Sequence, residues 1–332
     1  MVQTQEDPFT DLRELNIPWV GRMTGWREIP LEIFPYSDFL GRVYTSDKKY
    51  ICKMEAVKDI DKGTYGIIEE YKKIEPGKPV THVIVKRQKE DVFILKYEAL
   101  FQWYLYKQFE SAGYEKFIPR VYDIYRIRGK VGFSMEKFVP LKLVDYIMKL
   151  IPLGVLDNNK KFLPFLLLQI AIILDILHQF KTNHRDLKVD NMIVVQEEIR
   201  LRIPNTEKMV KFPFRIVIID FGWACYDSFL DVKSIEGLPP LIACPNEGVD
   251  MLQVLVSLWK LTPFREKIPP IYAKWIVELI ECGRTEKTKS FIELLNMYPD
   301  FSWLNTLTSE KNFSAPKCVP RVVIDQCLDF LT

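Results

Sequence analysis

Residues 184 to 191 read His184-Arg185-Asp186-Leu187-Lys188-Val189-Asp190-Asn191. This stretch sets a carboxylate, an amine and an amide at fixed offsets, soon after a long apolar run. The grouping suits the placing of a hydroxyl beside a metal-bound phosphate. Asp186 can accept or orient the proton of an attacking hydroxyl. Lys188 can neutralise charge on a transferring phosphoryl group. Asn191 offers an amide oxygen to a divalent cation, a hard acid that prefers oxygen ligands. Further on, Asp220-Phe221-Gly222 ends the apolar run IVIID. A second carboxylate therefore stands at a strand end, suited to magnesium.

Upstream, Gly63-Thr64-Tyr65-Gly66 lies between two predicted strands. Glycine there removes the Cβ that would keep phosphate oxygens from backbone N–H groups. Two glycines in a hairpin also make an ordinary turn, so the position just ahead of Lys86 matters more than the glycines themselves. Lys86 ends VIVK on the third predicted strand. Glu98, in LKYEALF on the helix that follows, is the carboxylate available to pair with it; Glu110 at the frayed helix end is the alternative. A surface lysine is the commoner reading of any single lysine. Met135-Glu136-Lys137-Phe138 ends the last strand of this region.

Taken in this order, the segments resemble the protein kinase superfamily over roughly residues 51 to 260. The Lys86-to-Glu98 spacing and the wording LKYEA are similar to the casein kinase 1 branch. Lys188 is similar to the serine/threonine-directed members. The divergent ends and the short segment after Asp220 look like those of kinases from large DNA viruses. The resemblance implies an α+β, bilobal, protein-kinase-like fold: a small β-rich N-lobe with one main helix, then a larger, mainly helical C-lobe. It also implies ATP and Mg2+ as cofactors and a Ser/Thr-bearing protein substrate. Asp186 and Lys188 would be catalytic, while Asn191 and Asp220 would ligate the metal. ATP would be bound by Ile60, Gly63, Gly66, Ile68, Ile84, Lys86 and Glu98, by the hinge residues Met135, Glu136 and Phe138, with Met135 gatekeeper-like, and by Ile193. His184, Arg185, Phe221, Gly222 and Asp250 would support the site, Asp250 from beneath the loop.

The chain departs from that family in several places. Asp61 replaces the first glycine of the phosphate loop, and Ile84 stands where alanine usually faces adenine, narrowing the pocket. Gln102 follows Glu98 by one turn, where an apolar residue is usual, which would loosen the coupling of helix and loop. Asn191 to Asp220 is 29 positions, longer than such chains need. The extra charged residues, about 196–214, read as a solvent-exposed hairpin, since loops tolerate insertion; a docking element is the alternative. No Ala-Pro-Glu follows Asp220, only GLPPLIACP. Tyr226, Ser228 and Ser234 are the candidate phosphorylation sites, and activity without obligatory loop phosphorylation is expected. A pseudokinase scaffold and a small-molecule kinase of related fold are the competing functions. Retention of Lys86, Asp186, Asn191 and Asp220 weighs against the first, and Lys188 against the second.

The elements that must position these residues follow from patterning. Short strands ICKMEAVKDI, IIEEYKKI and VTHVIVKRQ precede a helix over 93–109, and IPRVYDIYRI and VGFSMEKF follow it. The domains expected are an extension at 1–49 packing on the kinase, an N-lobe at 50–136 and a C-lobe at 137–332. MIVVQEEIRLRI and VKFPFRIVIID bracket a turn at Pro204 and read as one hairpin. Phe162 to Leu177 is shorter than a bilayer span and carries Pro164, Gln169 and Asp175, so a buried core helix rather than membrane insertion is expected.

Composition is that of a globular chain. Of 332 residues, 48% are hydrophobic and 27% charged, with 46 basic against 44 acidic groups and a net charge of +2. No local basic patch calls for nucleic acid. The six cysteines lack CxxC or Cys/His metal spacing and read as reduced thiols. The N-terminal stretch lacks the apolar core of a signal peptide. A cytoplasmic location is expected, in host cytoplasm or virion if the source is viral.

Overall fold

The computed structural model describes residues 36–37, 42–44, 50–62, 66–88, 94–127, 130–138, 141–226, 244, 246–283, 290–298, 302–308 and 313–332. Its contacts divide the chain into two compact units, Met1–Phe138 and Val139–Thr332, both of mixed helix and strand. The expectation for 1–49 falls almost wholly outside the described residues, as do Gly63 and the serines 228 and 234.

In the first unit two short strands, β1 (Tyr36–Ser37) and β2 (Arg42–Tyr44), precede a run of longer ones: β3 (Tyr50–Lys62), β4 (Gly66–Ile74), β5 (Thr81–Gln88), β6 (Val121–Ile127) and β7 (Lys130–Glu136). The last five form an antiparallel sheet in the order β3-β4-β5-β7-β6. β1 pairs antiparallel with β2 and parallel with β6, closing the sheet on itself. Strand period sorts the side chains onto two faces. Val83 and Val85 join Cys52 and Met54 in a buried cluster, with Ile51 and Tyr71 packed on it. Ile84 and Lys86, one residue out of phase, belong to the opposite face. Helix α1 (Ile94–Ser111) buries Leu95, Glu98, Phe101, Leu105 and Phe109.

The second unit begins with α2 (Leu143–Leu150), α3 (Val155–Asn158) and α4 (Phe162–Gln179). Strands β8 (Thr182–Asn183), β9 (Met192–Val195), β10 (Ile199–Arg202), β11 (Met209–Phe212), β12 (Arg215–Ile218) and β13 (Cys225–Tyr226) follow. The remaining helices are α5 (Val249–Lys260), α6 (Thr262–Lys267), α7 (Pro270–Ile280), α8 (Phe291–Met297), α9 (Ser302–Thr308) and α10 (Pro320–Leu331). By length and composition α4 could cross a membrane, but 89% of its 18-residue window is buried inside the protein. Its polar residues are satisfied there. Gln169 Nε2 donates to Phe214 O at 2.9 Å and its Oε1 accepts from Ile216 N–H. Asp175 accepts from Arg321 of α10 at 2.9 Å and from Gln179 at 2.8 Å.

The hairpin expected between 192 and 220 is present as two nested antiparallel ladders, β9 with β12 and, beyond them, β10 with β11, with Pro204 to Thr206 at the tip. The insertion at 196–214 corrects one expectation: it is not a solvent-exposed excursion. Ile199, Leu201, Ile203, Phe212 and Phe214 are buried. Phe212 meets Phe165 of α4 edge-on at 5.9 Å, and Phe214 lies 6.0 Å from Phe162. Strand alternation explains both the mistake and the outcome: Arg200, Arg202 and Lys211 point outward and carry the charge, while the alternate residues cover α4.

The thiol expectation also fails for one pair. Cys225 and Cys244 form a disulfide, leaving Cys52, Cys282, Cys318 and Cys327 free and buried. Nineteen positions apart, the two carry no pairing signal in sequence. Asn183 draws them together, because its backbone pairs with Cys225 while its side chain clasps the backbone of Asn246, two residues beyond Cys244.

Candidate active site

In the first unit, strand register brings several expected residues onto one face of the sheet. Ile68 lies opposite Lys86, which lies opposite Phe133, and Ile84 lies opposite Met135. Directly opposed residues share a face. Gly66 permits the close crossing of β4 and β5, since a Cβ there would stand 3.2 Å from Arg87 O. Ile60 is separate from this row. It sits at a register irregularity between Asp59 and Asp61 and is exposed.

Lys86 Nζ donates to both carboxylate oxygens of Glu98, at 2.6 and 2.8 Å, and the two residues are only 7% and 2% exposed. Burying two charges is tolerable only when each neutralises the other. This pair pins α1 to the sheet and leaves a cation fixed on the face that carries Ile84. Gln102, buried one turn after Glu98, is satisfied within this unit: its Nε2 donates to Pro119 O at 3.0 Å and lies 3.6 Å from Met135 Sδ. The end of β7 and the residue after it are each held. Glu136 N donates to Arg120 O at 2.8 Å, and Lys137 Nζ donates to Glu70 Oε1 at 2.6 Å. His82 Nδ1 is 2.7 Å from the same carboxylate oxygen of Glu70. Lys137 first, then His82, pull the Glu70 carboxyl down to about 2.

In the second unit the HRD stretch folds as a loop ending in one 3-10 turn, Val189–Asn191. Asp186 stands at its centre. Lys188 Nζ approaches its two carboxylate oxygens at 3.0 and 3.3 Å. Asn191 Nδ2 donates to Asp186 O at 2.8 Å and to Asp186 Oδ2 at 3.1 Å. These bonds use the amide nitrogen of Asn191 and so orient its oxygen as the remaining ligand atom. The β9–β12 ladder brings Asn191 and Asp220 to the same end of one hairpin: Met192 pairs with Ile218, and Ile219 N donates to Asn191 O at 3.0 Å. Met192 and Val194 are buried, whereas Ile193 between them belongs to the other, half-buried face.

Arg185 and Asp220 both have left-handed backbone, with φ of 68° and 67°. Such conformations cost a residue with a side chain about 1–3 kcal/mol and persist where the surroundings enforce them, often at functional sites. The surroundings are specific here. Asp250, fully buried at the start of α5, accepts from His184 N and Arg185 N, both at 2.8 Å, and from Asn183 Nδ2 at 3.0 Å. His184 Nε2 lies 2.9 Å from Ile219 O, and its ring packs on Phe221 at 5.0 Å. The loop and the segment leading to Asp220 are therefore joined through one imidazole.

Three residues of this network were missed in sequence: Asn183, Gln253 and Ser257. Gln253 Oε1 accepts from Leu187 N at 2.9 Å and Ser257 Oγ from Val189 N at 3.2 Å. A signal existed, because Asp250, Gln253 and Ser257 recur at offsets of three and four in an otherwise apolar helix, which sets them on one stripe.

Among the described residues no group of three or more His, Cys, Asp or Glu side chains is arranged to hold a metal. Asp220 and Asn191 offer one carboxylate and one amide oxygen at the same end of the hairpin, and could hold a divalent cation only if water or a ligand supplied its other oxygens, as Mg2+ allows. No protein-family model matches this chain, and no curated protein matches it either.

Proposed function

We propose that this protein is an ATP- and Mg2+-dependent serine/threonine kinase. One observation carries the reading: Asp186 is held by Lys188 and Asn191 in a loop whose strained backbone is bonded from beneath, with Asp220 at the end of the adjoining hairpin. A carboxylate fixed in this way can orient a hydroxyl and take its proton. Lys188 supplies positive charge beside the transferring group. Asn191 and Asp220 would hold Mg2+, which shields the phosphate charge when bound. The Lys86–Glu98 pair supports the same reading, since a buried lysine with its orientation locked can meet nucleotide phosphates.

The test is transfer of the terminal phosphoryl group from labelled ATP, with and without Mg2+, to casein, histone, the protein itself and small alcohols. Wild type should label a protein acceptor only with Mg2+. Asp186→Asn should lower transfer by about 10²–10⁴-fold. Equal rates for the two proteins would falsify the reading, and labelling of alcohols alone would turn it into a small-molecule kinase.

A further inference from the structure

Asp186 is flanked by Arg185 and Leu187, and one buried side chain grips both neighbours. Gln253 Nε2 donates to Arg185 O at 2.7 Å while its Oε1 accepts from Leu187 N at 2.9 Å. The side chain is fully buried. Its amide thus spans the peptide units on either side of Asp186, and it does so next to Arg185, whose φ is 68°. Asp250 holds only the approach to that point, through His184 N and Arg185 N, and Ser257 only the exit, through Val189 N. Neither reaches the two groups that bracket Asp186.

We propose that Gln253 is a positioning residue for phosphoryl transfer, setting the direction in which Asp186 presents its carboxylate. The proposal rests on the kinase reading and deepens it. A reacting group displaced by about 1 Å can lose on the order of 10²-fold in rate. A clasp on both flanking peptides therefore acts on turnover more than on nucleotide binding. An amide also donates and accepts at once whatever the pH. Glutamate, ionised, keeps the bond to Leu187 N but sets a second oxygen against Arg185 O. Protonated, it restores both bonds.

The experiment measures kcat and the KM for ATP for wild type, Gln253→Leu and Gln253→Glu across pH, with thermal melts alongside. Gln253→Leu should lower kcat about 10- to 100-fold with the KM for ATP within about twofold. Gln253→Glu, nearly isosteric and thus the safer folder, should also be slow at neutral pH. Its rate relative to wild type should climb as pH falls and its carboxyl protonates. The ionisable groups around this position, His184, Arg185, Asp186 and Lys188 on the loop, Asp250 on α5 and His178 on α4, are present in both proteins. Gln253→Leu, which adds no charge beside them, serves as the control whose ratio to wild type should not climb at low pH. A kcat for both variants equal to wild type would overturn the proposal. So would a loss confined to KM, or a Gln253→Glu ratio that stays flat with pH. Absence of turnover in wild type itself would instead defeat the kinase reading, and the proposal with it.

Discussion

Lys86 and Glu98 form a bidentate ion pair in the interior of the first unit, with the ammonium 2.6 and 2.8 Å from the two carboxylate oxygens. Removing either partner strands the other charge away from water, which costs about 3–5 kcal/mol. Glu98→Gln should therefore lower the urea midpoint of this protein and weaken ATP binding, because Lys86 loses the group that aims it. Lys86→Met should abolish transfer while destabilising the fold. An unchanged midpoint for Glu98→Gln would mean that the pair is not buried as described.

The Cys225–Cys244 bridge is directly countable. In denaturant without reductant, four thiols should react with an aromatic disulfide reagent, and six after treatment with a dithiol. The bridge closes a loop of sequence separation 19, and constraining such a loop is worth about 3 kcal/mol on the chain-entropy account. Reduction, or Cys225→Ser with Cys244→Ser, should lower Tm by several degrees. Six reactive thiols in the untreated protein would remove the bridge from consideration.

The hairpin at 199–212 should behave as core on one face and as surface on the other. Phe212→Ala opens a cavity against Phe165 and should cost about 3–5 kcal/mol. Lys211→Ala, on the outward face, should stay within about 0.5 kcal/mol. Equal, small effects in denaturant melts would restore the picture of a loose excursion.

Glu70 gives a pH dependence with a definite sign. Its carboxyl is pulled from 4.5 to about 2 by Lys137 and then His82. A carboxylate more acidic in the folded state than in the unfolded one stabilises the fold above the unfolded value, and that contribution fades as pH falls through the folded value. Wild type should thus be more stable than Glu70→Gln at pH 6, and the gap should narrow between about pH 4.5 and 2. A gap that stays constant over pH 6 to 3 would show that Glu70 is not paired in this way.

The local elements that carry the candidate residues were legible in the amino-acid order alone. Asp186, Lys188 and Asn191 lie within six residues, so their mutual geometry follows from one loop and one 3-10 turn. Strand period put Lys86 out of phase with Val83 and Val85, and helical period put Glu98 on the buried side of α1. Only the tertiary structure decided what long-range contact decides. Gln253 belongs to a polar stripe with Asp250 and Ser257 that is visible in sequence, but its partner Leu187, 66 positions away, is not. Cys225 and Cys244 meet because Asn183 pairs with Cys225 through its backbone and binds Asn246, two residues past Cys244, through its side chain. The charged hairpin is buried because α4 offers Phe165 and Gln169 on the side its apolar residues face. The reason is common to all three. Backbone periodicity specifies which face a side chain occupies, whereas a partner for that face is chosen by the packing of chain segments far apart, which no local pattern encodes.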